Sequence, residues 1–443
     1  MLLNKILRVF QKLFLPVYNR SYFLKKIDWL IFANIILVIF SSVAAPSDYI
    51  AYFAIFGILL TAVKLFTKPD EKCVLSAGDK FLLVYFLTVL ISVAGSSLLY
   101  LSFKGFIKTL TYLGFYVSVV HYLKDNRDKI KYLFLALAFS VFAETIIAIK
   151  QNFMSVSEIS GWQDVSHLNP EEVMTRVYGT LKPYNPNLFG GYMLSALPAT
   201  LILVYLPLIN KHYKTAMTGF CVFLSGVLSI ILTGCRGAYV GLFAELIVLG
   251  ILTYGFLKPF YKRIFAIITG FISMAAVLLV MSVSSVRARI FSIFALRNDS
   301  SNSFRFNVYN SCIDMFKDNW LLGIGVGNQN FREIYGLYMK TGFDALSAYN
   351  IYLEIAVESG IFALIAFLGF LGVNLSRAVR YVLKRKNINS IYLLIAIVSI
   401  TGMLVHGFVD TVFFRPQIQF LFWIMVGLIR VLTTPQKSRR VYD

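Results

Sequence analysis

Apolar runs of roughly 18–24 residues, broken by short polar stretches, fill most of the chain, and each is long enough for the ~30 Å hydrocarbon core of a bilayer. They fall near 29–45, 49–67, 81–101, 105–123, 131–150, 188–209, 216–233, 237–257, 264–284, 351–375, 389–406 and 416–433. Twelve such segments predict an all-α, polytopic integral membrane protein with both termini on one side. The first residues carry a different period. Leu3, Ile6, Leu7, Phe10 and Leu13 fall on one helical face and Lys5, Arg8 and Lys12 on the other, with Pro16 expected to end the helix. This stretch is a stripe rather than a solid apolar block and has no small-residue cleavage site, so it reads as an interfacial helix on the cytoplasmic side, not a signal peptide.

Charge orients the segments. Loops assigned inside carry Lys68, Lys72 and Lys80, then Lys124, Arg127, Lys129 and Lys131, and later Arg377, Arg380, Lys384, Arg385 and Lys386, whereas alternate loops carry few. The organisation expected is an interfacial helix over 1–27, one transmembrane domain over 28–433 and a cytoplasmic tail over 434–443. Two long extracytoplasmic loops, 151–187 and 285–350, are part of that domain. Composition agrees, at 58% hydrophobic and 14% charged with 40 Phe and 26 Tyr. Soluble domains are about 45–50% apolar and about 25% charged, so a cytosolic enzyme and a disordered chain are excluded. The net charge of +20 reflects topology, with no nucleic acid implied. Cys73, Cys221, Cys235 and Cys312 show neither metal spacing nor a CxxC pair, and four free thiols are expected.

The outside arginines break the charge bias. Arg236 sits between glycines in Gly234-Cys-Arg-Gly-Ala238, at headgroup depth, where a lipid phosphate or diphosphate would lie. Arg305, in Ser303-Phe-Arg-Phe-Asn307, opens an amphipathic stretch reaching Trp320, and Arg176 precedes the Asn185-Pro-Asn187 turn. Arg287, Arg289 and Arg415 are further candidates, and each of these arginines can alternatively snorkel to headgroups. Gly323-x-Gly-x-Gly327 lacks a preceding strand and the GxGxxG spacing, so it reads as a tight turn aiming Asn330 and Phe331 rather than a nucleotide loop. His406 is expected to bond Asp410 at a helix end. The outside acids, among them Glu171, Glu172, Asp299, Glu354 and Glu358, form no DxD and no cluster with His167 or His406, so no metal is expected. Glu144 and Glu245 lie within spans, as do Lys64 and Lys108, which are expected to snorkel.

Four stretches in fixed order resemble the O-antigen ligase and O-antigen polymerase superfamily of bacterial membrane glycosyltransferases. They are Arg176-Val-Tyr-Gly-Thr-Leu-Lys-Pro-Tyr-Asn-Pro-Asn187, Cys235-Arg-Gly-Ala238, Arg305 through Asn330, and Ala348-Tyr-Asn-Ile-Tyr-Leu-Glu-Ile-Ala-Val-Glu-Ser-Gly360; His406-Gly-Phe-Val-Asp410 also fits. The resemblance spans roughly 170–425 and implies an all-helical fold akin to other lipid-donor glycosyltransferases, in the bacterial inner membrane with a periplasmic active site. It implies a metal-independent, inverting reaction without cofactor. The donor is an undecaprenyl-diphosphate-linked glycan. The acceptor is a sugar hydroxyl, on lipid A-core for a ligase or on another lipid-linked glycan for a polymerase. Arg236 and Arg305 match the two arginines that engage the diphosphate in ligases, with Arg176 beside them. The ligase histidine is replaced by Tyr349, followed by Asn350 and then Gly360. Tyrosine, with an ordinary pKa of about 10, is a poor base at neutral pH, so Glu354 and Glu358 become candidate replacements. A rival reading is a small-anion transporter, which would place charged pairs and broken helices at mid-membrane.

Overall fold

The computed structural model describes residues 2–73, 75–153, 176–294 and 300–434. Trp162, His167, Glu171, Glu172, Asp299 and the tail beyond Thr434 lie outside the described residues. Regular structure among the described residues is helical. The principal helices are α1 (Leu2–Arg20), α2 (Ile27–Ala44), α3 (Ser47–Thr67), α4 (Ala77–Ala94), α5 (Leu99–Leu123), α6 (Ile130–Asn152), α7 (Pro186–Ile209, with a 3-10 turn inside), α8 (Tyr213–Leu232) and α9 (Arg236–Phe256). They continue with α10 (Pro259–Ser282), α11 (Ser284–Phe291), α12 (Ser300–Asn319), α13 (Asn328–Tyr335), α14 (Ile351–Lys384), α15 (Ile388–His406) and α16 (Pro416–Leu432). Ten of these are long and apolar enough to cross a membrane. With α5 and the shorter α16 they occupy the twelve expected segments, making this a multi-pass membrane protein.

Three expectations are corrected. Helix α1 runs through Pro16 to Arg20, and of its apolar stripe Leu7 is buried while Ile6, Phe10 and Leu13 stay exposed. Gln11 seats it, its Nε2 donating to Leu65 O at 2.9 Å and Glu71 O at 3.0 Å. The turn between α4 and α5 lies at 95–98 instead of near Lys104, because Gly95-Ser96-Ser97 interrupts the helix whereas Lys104 continues it. Lys64 does not snorkel. It is fully buried, with Nζ 2.7 Å from Asp28 Oδ1 and donating to His121 O at 3.0 Å.

Spanning helices satisfy their own backbone groups, so their ends need partners. Ser76 and Asp79 form a capping box on α4, while Asn185, Asn350 and Asn387 cap α7, α14 and α15. Hydrogen bonds across connections then gather several of them on one face of the bundle. Thr180 Oγ1 donates to Val43 O at 2.8 Å, Gln417 Nε2 to Lys182 O at 3.0 Å, Ser96 Oγ to Ile324 O at 2.8 Å and Ile351 N to Gly407 O at 2.8 Å. Glu144 belongs to this scaffold, accepting from the Thr180 hydroxyl and backbone N–H.

A separate polar knot ties together the far ends of α2, α3 and α5, with Lys64 and Lys68 on Asp28 and Lys124 on Glu71. Burial alone would raise the Glu71 pKa. Its hydrogen bond with His121 and the cations Lys64 and Lys124 outweigh that and hold it at about 2, against an ordinary 4.5. A depressed carboxyl pKa stabilises the fold above the unfolded value, and the contribution fades as pH falls from 4.5 towards 2. Glu71→Gln is therefore expected to lower the melting temperature at pH 7, with the gap from the parent closing on acidification through that window. A gap independent of pH in fluorescence-monitored melts would contradict this.

Candidate active site

The first turn of α9 follows the sharp Gly234-Cys235 connection and presents Arg236 to the gathered face. Arg236 Nη1 donates to Ser292 O at 3.2 Å and approaches Ser292 Oγ at 3.3 Å. Arg289, on α11, donates from Nε to Gly234 O at 2.8 Å. Arg176 reaches the same connection, its Nε donating to Thr233 O at 2.8 Å and its Nη2 to Asn187 Oδ1 at 2.6 Å. Asn187 Nδ2 continues to Asp410 Oδ2 at 3.2 Å, and the same oxygen lies 3.7 Å from Arg305 Nη2. Arg305 comes from α12, and its guanidinium sits 5.7 Å from the centroid of the Tyr349 ring. Four guanidinium groups thus converge with Asp410 as the carboxylate bonded into them.

Burial draws the Arg289 pKa down to about 10, with the neighbouring Arg176 and Arg236 charges adding to the shift. The group still carries its charge at neutral pH, so the cluster is a standing excess of positive charge in a half-buried setting. Such a site favours an anion, and phosphate oxygens match guanidinium forks. Arg287, four residues into α11, is exposed and turns to Met281 O at 2.7 Å.

His406 meets Asp410 through the backbone, Asp410 N donating to His406 O at 3.2 Å, and not through the imidazole. Its Nε2 faces Cys235 Sγ at 3.7 Å, while Asp410 Oδ1 accepts from Val412 N at 3.1 Å. Gly237 makes this fit possible, since a Cβ there would stand 2.6 Å from His406 Cδ2. All four cysteines are free thiols. Tyr349 has a left-handed backbone, φ 50°. Burial, followed by the Asp410 charge, raises its pKa above the ordinary tyrosine value, leaving a neutral phenol that orients ligands rather than a base. Asn350 caps α14, with Oδ1 accepting from Tyr352 N and Leu353 N at 3.0 Å.

Glu354 and Glu358 lie on α14. They line a separate cavity of about 1020 Å³, with Lys104, Lys108 and Arg415. Glu354 accepts from Ala348 N at 3.1 Å, and Glu358 Oε1 accepts from Gly327 N at 2.8 Å. The glycine-rich turn seats against α14 where that helix breaks at Gly360, φ 77°. There Ile324 N donates to Val357 O at 3.0 Å, Gly325 N to Glu358 O at 2.9 Å and Ile361 N to Trp320 O at 2.9 Å. Asn330, aimed inward as expected, donates to Ile324 O at 3.0 Å and Gly325 O at 2.8 Å, and Phe331 is fully buried. Among the described residues no group of three His, Cys, Asp or Glu is placed to hold a metal ion.

In the sequence Arg289 looks no different from Arg287 and Lys104 falls between two expected spans; only the packing of α11 against the 233–235 connection separates the two arginines. A Cβ at Gly360 would meet Leu321 O at 2.2 Å in a conformation that L-residues avoid. Gly360→Ala is expected to cost well over ~1 kcal/mol and to lower the thermal unfolding midpoint. An unchanged midpoint would contradict the assigned break.

No curated protein matches the chain. Residues 220–368, which run from α8 through the arginine-bearing α9, α11 and α12 into α14, match the family model described as O-antigen ligase; the match supports placing the chain in the O-antigen ligase superfamily, with a role in glycan transfer at a membrane.

Proposed function

We propose that the protein is a metal-independent, inverting glycosyltransferase that moves a glycan from undecaprenyl diphosphate to a sugar hydroxyl at the periplasmic face of the inner membrane, an O-antigen ligase with lipid A-core as acceptor. The observation that carries this reading is the convergence of Arg176, Arg236, Arg289 and Arg305 on one end of a membrane bundle. When the acceptor oxygen bonds to the anomeric carbon, the bond to the diphosphate breaks and its electron pair goes to the leaving oxygen. Preorganised guanidinium groups stabilise that charge without a metal, and removal of one such donor typically costs about 10²–10³ in rate. Arg236 and Arg305 fill this role, joined by Arg289. Arg176, engaged by Thr233 O and Asn187, braces the cluster. Tyr349 and Asn187 orient the sugar. A transporter would draw its charged groups to mid-membrane, whereas these arginines come from the first turn of α9, a connection and the helices α11 and α12, which are not among the spans.

The assay supplies purified protein with an undecaprenyl-diphosphate glycan, with and without lipid A-core. A single shifted band that needs the core is expected; a ladder from donor alone would instead assign a repeat-unit polymerase. Arg236→Ala and Arg305→Ala are each expected to lower transfer about 100-fold or more, and Arg289→Ala comparably, while Arg287→Ala stays near the parent. Full activity in both Arg236→Ala and Arg305→Ala would remove the site, and intact diphosphate under every condition would remove the reaction.

A further inference from the structure

The 1020 Å³ chamber is chemically unlike the arginine cluster, and the difference has a use. Its walls come from the outer ends of α3, α5, α14 and α16 and the glycine-rich turn. Lys104 and Lys108 project from α5, and Arg415 stands at the start of α16; all three side chains are exposed to the chamber. Ionisable groups on a spanning helix are costly against lipid and are retained where they face a polar cavity. Facing them are Glu354 and Glu358, each fixed through one carboxylate oxygen by a backbone N–H. Lys108 lies within electrostatic range of Glu358. Tyr52, Tyr100, Phe103 and Trp423 supply aromatic faces.

Glycosyl transfer brings together two partners with opposite needs. The leaving diphosphate needs an excess of cations, which the arginine cluster provides with four guanidinium groups around the single Asp410 carboxylate. The attacking hydroxyl is neutral, must lose a proton and is repelled by no carboxylate. Aromatic faces stack on the C–H faces of sugar rings, carboxylates take their hydroxyl hydrogens, and a cationic margin holds phosphate. Glu354 joins the two regions, since it lines the chamber and accepts from Ala348 N at 3.1 Å, one residue before Tyr349, whose ring centroid lies 5.7 Å from the Arg305 guanidinium.

We propose that this chamber is the acceptor site, taking a glycan whose carrier bears phosphate, with the phosphate at Lys104, Lys108 and Arg415 and the attacking hydroxyl directed to Glu354. This rests on the glycosyltransferase reading. The acceptor C–O bond forms as the bond to diphosphate breaks; the hydroxyl proton passes to the Glu354 carboxylate and the electron pair leaves on the diphosphate. Glu358 holds a neighbouring hydroxyl.

Binding is measured by native mass spectrometry on the full chain, with lipid A-core, undecaprenyl-diphosphate glycan and phosphatidylglycerol as separate probes. The Lys104→Ala/Lys108→Ala variant removes two exposed side chains and keeps the fold. It is expected to bind the acceptor about ten-fold more weakly, equivalent to ~1.4 kcal/mol, while one equivalent of undecaprenyl-diphosphate glycan stays bound. For a ligase the weakened probe is lipid A-core; for a polymerase it is a second equivalent of the lipid-linked glycan. Arg236→Ala is expected to do the reverse. Glu354→Gln is expected to bind both probes and lose turnover, with the acidic limb of the pH–rate profile removed in any residual activity. Unchanged binding in the double-lysine variant, equal loss of phosphatidylglycerol (a chamber holding only bilayer lipid), or no binding of either glycan by the parent would overturn the chamber assignment. Lysine-dependent acceptor binding without any transfer would keep the chamber and remove the reaction. Transfer with lysine-independent binding would do the opposite.

Discussion

A backbone carbonyl inside a bilayer must find a donor within the protein, and the break in α14 makes that constraint decisive here. Around Gly360 the helix gives up its own hydrogen bonds, and the freed Val357 and Glu358 carbonyls are taken by Ile324 N and Gly325 N, with Ser92 Oγ also donating to Glu358 O at 2.6 Å. Those bonds fix the glycine-rich turn on the head of α14. The turn in turn bonds Glu358, α13 descends from it with Asn330 and Phe331 buried, and Ser96 ties it to the α4–α5 connection. Much of the active face hangs from one interrupted helix, and a repaired helix would leave the loop without its partners.

The sign of charge divides that face. The arginine cluster keeps a surplus of cations around one carboxylate, so an anion relieves their mutual repulsion as well as binding to them. The chamber pairs cations with acids, a balance that suits polar and neutral groups. The chamber is lined by spanning helices, whereas the arginine cluster draws on the first turn of α9, the connection that carries Arg176 and the helices α11 and α12.

Hydropathy made the architecture legible. Each of the twelve apolar segments corresponds to a helix, because length and composition decide insertion before packing does. Boundaries were less legible where a spanning helix carries charge. Lys104 read as part of a turn and Lys108 as a snorkelling side chain, yet both belong to one helix that lines a cavity. Lys64 read as a snorkelling side chain because its partners, Asp28 and His121, are distant in sequence. The ordered motif set located Arg236, Arg305 and Arg176 on one face. It did not separate Arg289 from Arg287, since that depends on which way α11 turns, nor reveal that Glu354 and Glu358 line a chamber with Lys104, Lys108 and Arg415.

Helix α10 has a further consequence. Its 24 residues make it about 36 Å long at 1.5 Å per residue, and none of its most apolar window is buried in the protein. It leads directly into α11, which holds Arg289 beside Gly234 and, at its end, Ser292 beside Arg236. With the surface of α10 open to lipid, a thicker or thinner bilayer would change its tilt and so act on one wall of the arginine cluster. Through this strut, the hydrophobic thickness of the host membrane would bear on the spacing of the four arginines.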